Sequence, residues 1–91
     1  MRDFNGKVAV ITGGASGVGR SLAFSLGRRG AKIAVGDVDK GAMAQVRDDL
    51  AAANIEAIVE FCDVTSLESL NALADSTEAA FGRIDLVFAN A

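Results

Sequence analysis

Residues 12–21, Thr12-Gly-Gly-Ala-Ser-Gly-Val-Gly-Arg-Ser21, read TGGASGVGRS, and two chemistries compete for them. The stretch follows Lys7–Thr12 (KVAVIT), a short apolar run suited to a strand buried on both faces. It precedes Val18, Leu22 and Leu26, whose i, i+4, i+8 spacing marks one face of a helix reaching about Arg29. Glycines between a strand and a helix N-terminus leave free N–H groups at the positive end of a helix dipole, a place for an anion. Counted from Gly14 the stretch spells G-x-x-x-x-G-R-S, a triphosphate loop with Arg20 where Lys is needed. Counted from Gly13 it spells G-x-x-x-G-x-G, a relative of the dinucleotide fingerprint.

The pattern continues outward as alternating strands and helices. Gly30 can close the first helix with a positive φ, after Arg28 and Arg29 at the negative end of its dipole. Lys32–Asp37 (KIAVGD) is a second strand. Asp39 can cap a second helix with the stripe Met43, Val46, Leu50 and Ala53, ended by Asn54. Ala57–Cys62 (AIVEFC) is a third strand. Thr65-Ser-Leu-Glu68 has the form of a capping box. It opens a third helix carrying Leu67, Leu70, Leu73/Ala74, Thr77 and Phe81 and stopping at Gly82. Asp85–Ala89 (DLVFA) is a fourth strand.

This β-α-β-α-β-α-β order argues for an α/β fold: a Rossmann-type, doubly wound parallel sheet over residues 1–91. Right-handed crossovers in strand order 3-2-1-4 put the first two helices on one face and the third on the other. The fourth strand then stands at an apolar sheet edge. The expectation is an incomplete sheet, the N-terminal part of one domain. It could associate with itself through that bare strand, as a truncated fragment or an inactive binding module.

An acid at the tip of the second strand separates the two phosphate readings. Asp37 lies there, 20 residues after Gly17. Its carboxylate suits the adenosine ribose hydroxyls and repels a 2′-phosphate, which favours NAD over NADP. Gly13 then permits the sharp exit from the strand, Gly17 the close approach of backbone to pyrophosphate, and Gly19 tight helix packing. Ser16 and Val38, beside the turn and the acid, bring no cation for a 2′-phosphate; Arg20 is the one nearby cation. The planar Arg20 fork does not replace the compact Lys of a triphosphate loop.

Composition narrows the function further. Net charge is −3 and no basic stripe appears, which argues against a nucleic-acid partner. No apolar run reaches membrane-span length, and the start lacks the apolar core of a signal peptide, so the expected location is cytoplasmic. Cys62 is the single cysteine, with no cation beside it to activate the thiol, and reads as buried packing. There is no metal-ligand cluster to name. His and Tyr are both absent, which closes many proton-relay mechanisms to these 91 residues.

These features together resemble the short-chain dehydrogenase/reductase family. The resemblance rests on Gly6-Lys-Val-Ala-Val-Ile-Thr-Gly13, Thr12-Gly-x-x-x-Gly17-x-Gly19, Asp37, Asp63-Val64 and Ala89-Asn90-Ala91, which span the chain. Arg20 fits as well, since Gly-Arg is frequent in the family after the last glycine. The resemblance implies an NAD-binding site of Gly13, Ser16, Gly17, Val18, Gly19, Asp37, Val38, Asp63, Val64, Asn90 and Ala91. Asp63 would hold the adenine amino group beside Val64. Asn90 would match an Asn of the family's Asn-Asn-Ala-Gly segment, with Ala89 in place of the first Asn. The implied parent reaction is hydride transfer between the nicotinamide and an alcohol or ketone. The family's Ser and Tyr-x-x-x-Lys lie past its fourth strand. The 91-residue chain by itself is therefore expected to carry no catalytic residue and to turn nothing over.

Overall fold

The computed structural model describes residues 3–90. Its elements run β1 (Val8–Thr12), α1 (Gly17–Gly27), β2 (Lys32–Asp37), α2 (Lys40–Ala52), β3 (Ala57–Phe61), α3 (Leu67–Phe81) and β4 (Leu86–Ala89). The four strands pair in parallel in the order β3-β2-β1-β4, as the alternation predicts.

The period-two alternation of the strands sorts their side chains into two layers. Ala9, Ile11, Ile33 and Val35 pack with Ala23 and Leu26 of α1 and with Met43, Val46 and Leu50 of α2. Val10 and Ala34 face the other way, against Leu73 of α3 and Cys62. The first two helices thus share one face and α3 takes the other. The central strands β1 and β2 are buried almost throughout, whereas Val87 on β4 is 66% exposed.

Several boundaries differ from the sequence reading, each for a local reason. Lys7 stays outside β1 because its N–H closes a turn onto the Phe4 carbonyl at 2.9 Å. α1 ends at Gly27, and tight turns from Arg29 N–H to Leu26 and from Gly30 N–H to Gly27 follow. Arg28 and Arg29 therefore sit just past the last helical turn; Gly30 has the expected positive φ of 97°. The cap of α3 falls one residue later than the capping box: the Ser66 hydroxyl accepts from Ser69 N–H at 3.1 Å, while the Thr65 hydroxyl donates to Asp63. The stripe of α3 then begins at Leu70, and Leu67 is exposed. Asp85 precedes β4 and braces the start of β1 instead, its carboxylate accepting from Val8 N–H at 2.9 Å.

Three carboxylates titrate below their ordinary range. The Arg83 guanidinium and the Val8 N–H hold Asp85 down, Arg20 and Gln45 hold Asp49 down, and Thr65 holds Asp63 down. A carboxylate with a folded pKa below its unfolded one contributes stability that is complete above about pH 4 and lost as pH falls through the folded value. The melting temperature is therefore expected to hold level from pH 7 to about 5 and to fall progressively below about 4. Asp85→Asn should soften that acid limb. Melts followed by circular dichroism across this range check it; an identical acid limb in the variant would remove Asp85 from the account.

Candidate functional site

All four strands point their carboxyl ends to one edge, and the chain reverses its direction across the sheet between β1 and β4. Such a switch point opens a crevice beyond the strand ends. Two adjoining cavities lie there, of about 220 and 340 Å³. Gly13, Asp37 and Asn90 line both. Val38, Cys62, Asp63 and Val64 complete the first, and Ser16, Gly17 and Val18 complete the second.

The turn after β1 is shaped by close approach. Gly13 has φ of 65°, and a Cβ on it would collide with the Asn90 carbonyl oxygen. Its N–H is bonded to the Gly36 carbonyl at 2.7 Å, which pins the turn to β2. Gly19 does not line the cavities; it lets α1 start against the turn, since a Cβ there would collide with the Gly13 carbonyl. Gly17, with φ of 57°, has open space where a side chain would stand.

The N-terminus of α1 has free donors. Ser16 occupies the cap position without a side-chain cap bond, and Val18 is 75% exposed. The N–H groups of Ser16, Gly17, Val18 and Gly19 have no hydrogen-bond partner among the described residues. By contrast, Asp39 caps α2 by accepting from Ala42 N–H, and Ser66 caps α3. The second cavity therefore combines an open dipole end with two glycines in its wall, Gly13 and Gly17, which suits a phosphate group.

Asp37 at the tip of β2 divides the two cavities. One carboxylate oxygen accepts from Ala15 N–H at 3.0 Å, the other from Val38 N–H at 2.7 Å. The oxygen bonded to Ala15 keeps a second lone pair for a ligand hydroxyl, while the other also lies 3.4 Å from Asp39 N–H. Asp63 presents a second carboxylate, one of whose oxygens accepts from the Thr65 N–H and hydroxyl. No cation lines either cavity among the described residues. Arg20 turns away to pair with Asp49 at 2.6 Å and lies 4.9 Å from the Phe24 ring centroid. The first cavity thus favours hydroxyl and amino donors over phosphates, and the second favours the reverse.

Asn90 closes the crevice from the β4 side. Its side-chain amide donates to the Gly13 carbonyl at 3.2 Å, and its N–H donates to the Thr12 hydroxyl at 3.2 Å. The sequence reading of the site thus gathers at one place, with Gly19 behind the wall; Ala91 lies outside the described residues. Three residues were not singled out for the site. Thr12 ties the ends of β1 and β4 together, also donating to the Phe88 carbonyl at 3.5 Å; its signal was a hydroxyl at the last strand position before the turn. Ala15 contributes only its backbone, so no side-chain pattern could reveal it. Cys62, read from the sequence as buried packing and not as part of the site, is 2% exposed and stands in the first cavity's wall, where burial pushes its thiol pKa up.

Residues 7–91 match the family model described as short chain dehydrogenase. Secoisolariciresinol dehydrogenase of Forsythia intermedia is 38% identical over 99% of this chain and 32% of its own length. A short chain dehydrogenase/reductase of Burkholderia phymatum, solved in complex with NAD, superposes with a TM-score of 0.91 at 45% identity, over 96% of this chain and 31% of that one. The hydroxysteroid dehydrogenase of Escherichia coli superposes with a TM-score of 0.93 at 34% identity, over 98% and 38%. This chain spans about a third of the length of the curated relatives it matches.

Proposed function

Because this chain belongs to the short-chain dehydrogenase family, we propose that its two adjoining cavities hold the adenosine and pyrophosphate portions of NAD. The observation that carries the reading is Asp37, whose carboxylate borders both cavities with a lone pair to spare. The ribose hydroxyls donate to Asp37. The adenine stands beside Val38 and Val64 in the first cavity, its amino group donating to Asp63. The pyrophosphate takes the free N–H groups of Ser16–Gly19 in the second cavity, with Val18 and Asn90 alongside.

NAD is preferred over NADP on electrostatic grounds. A 2′-phosphate would meet the Asp37 carboxylate, and the nearest cation, Arg20, is engaged with Asp49 and Phe24. Bound nicotinamide supplies a hydride acceptor or donor, and an alcohol or ketone is the substrate of the complete enzyme. These 91 residues position the cofactor and contribute no proton relay, having neither Tyr nor His. A cytoplasmic location, where a dissociable dinucleotide is available, belongs to the same proposal.

Calorimetric titration of the 91-residue chain with NAD, NADP and ADP-ribose tests it. NAD and ADP-ribose are expected to bind comparably and NADP roughly tenfold or more weakly, the effect of one unscreened like charge at hydrogen-bond range. The same sample should give no NAD-coupled turnover on a panel of alcohols and ketones. Equal binding of NADP would overturn the Asp37 argument, and turnover would overturn the division of labour.

A further inference from the structure

We propose that Asp37, beyond meeting the ribose, is a positioning residue that anchors the phosphate turn, so that ribose selection and phosphate holding depend on one carboxylate. The inference rests on the NAD-site reading above. Ala15 is buried, 3% exposed, and its N–H needs a partner. Its partner is the Asp37 side chain, 22 residues away, at 3.0 Å. The carboxylate is itself fixed at the opposite oxygen by Val38 N–H at 2.7 Å, with Asp39 N–H farther off at 3.4 Å.

The first half of the turn has other anchors. The N–H groups of Gly13 and Gly14 donate to the Gly36 carbonyl at 2.7 and 3.4 Å, and Asn90 donates to the Gly13 carbonyl. Between Gly14 and the first helical bond, from Arg20 N–H to the Ser16 carbonyl, the Asp37 carboxylate is the one side-chain anchor among the described residues. The segment so anchored leads directly into the free N–H groups of Ser16–Gly19.

Only an ionised carboxylate can do this. It accepts at both oxygens, from Ala15 on one side and Val38 on the other. An Asn amide offers one acceptor and one donor group, so it turns an N–H toward an N–H at one end. Asp37→Asn therefore keeps at most one of the two bonds, and Asp37→Ala keeps neither. Exchanging Asp37 to admit a 2′-phosphate would also loosen the turn beneath the pyrophosphate.

Inorganic pyrophosphate, which has no ribose, separates anchoring from ribose contact. If Asp37 were only a nearby negative charge, Asp37→Ala would tighten pyrophosphate binding. As an anchor, its loss should weaken that binding by roughly three- to tenfold, the scale of one charge-assisted hydrogen bond less the relieved repulsion. Amide shifts in an NMR titration read the affinity. In the ligand-free protein, hydrogen exchange at the Ala15 amide should quicken about tenfold in Asp37→Ala. Exchange at the Gly13 amide, bonded to backbone, should not change, which also reports that the variant is folded. Asp39→Asn is the charge control: it removes a negative charge at the same strand tip, keeps a good N-cap residue and leaves Ala15 untouched. It should weaken neither pyrophosphate binding nor Ala15 protection. Unchanged Ala15 exchange, or tighter pyrophosphate binding, in Asp37→Ala would overturn the anchor. If NAD fails to bind the unaltered protein while Ala15 exchange still responds, the anchor stands and the cofactor reading falls.

Discussion

Asp37→Ala is expected to weaken NAD binding by roughly a hundredfold, about 3 kcal/mol, the worth of one or two hydrogen bonds to a charged acceptor. Two losses combine in that figure. The ribose hydroxyls lose their acceptor, and the Ala15 N–H loses its partner. NADP should lose less, because the repulsion of its 2′-phosphate disappears at the same time, so the ratio of the two affinities moves toward one. Titration of the variant with both dinucleotides measures this ratio. An Asp37→Ala protein that binds NAD as tightly as the unaltered chain would leave the site without its defining residue.

Gly13→Ala should be the most destabilising small substitution in the turn. Ala must adopt a φ of 65°, costing about 1–2 kcal/mol, and its Cβ must displace the Asn90 backbone, which adds roughly 1–3 kcal/mol of overpacking. A loss of about 3 kcal/mol lowers the melting temperature of a domain of this size by roughly 12–24 °C. Gly82→Ala provides the comparison. Gly82 has φ of 80° but open space around the missing side chain, so only the conformational cost, about 1–2 kcal/mol, applies there. If the two variants melt together, the contact between the turn and Asn90 contributes nothing.

The fold was readable because its strands and helices carry different periods. KVAVIT and KIAVGD are short apolar runs bounded by turn residues, the form of buried strands, and the stripe Met43, Val46, Leu50 has the spacing of a helix face. Given the expected order 3-2-1-4, handedness placed the first two helices on one face and the third on the other. The crevice was legible where side chains or missing side chains shape it: Gly13, Gly17 and Asp37 from their spacing, Asp63 and Asn90 from the family resemblance, all line the two cavities. It was not readable where backbone or packing does it. Nothing in the letter Ala at position 15 says that its N–H faces the carboxylate of Asp37. The shift of the α3 cap from Thr65 to Ser66 was hidden for a related reason. Two adjacent hydroxyl residues compete for one helix start, and Asp63 drew Thr65 away by accepting from it. Asp85 escaped notice as a brace because an acid at a strand start looks the same whether its side chain faces solvent or a neighbouring N–H.

The distances along the chain between the partners of the phosphate turn imply an order of assembly. Asp37 is 22 residues from Ala15, whereas Asn90 is 77 residues from the Gly13 carbonyl that it braces. On a chain emerging from the ribosome N-terminus first, β1, α1 and β2 can meet and set the carboxylate against the turn early. The brace from β4 arrives only after two more crossovers have been made. The phosphate turn is thus held at two ranges, by a short-range tether to Asp37 and a long-range clasp from Asn90.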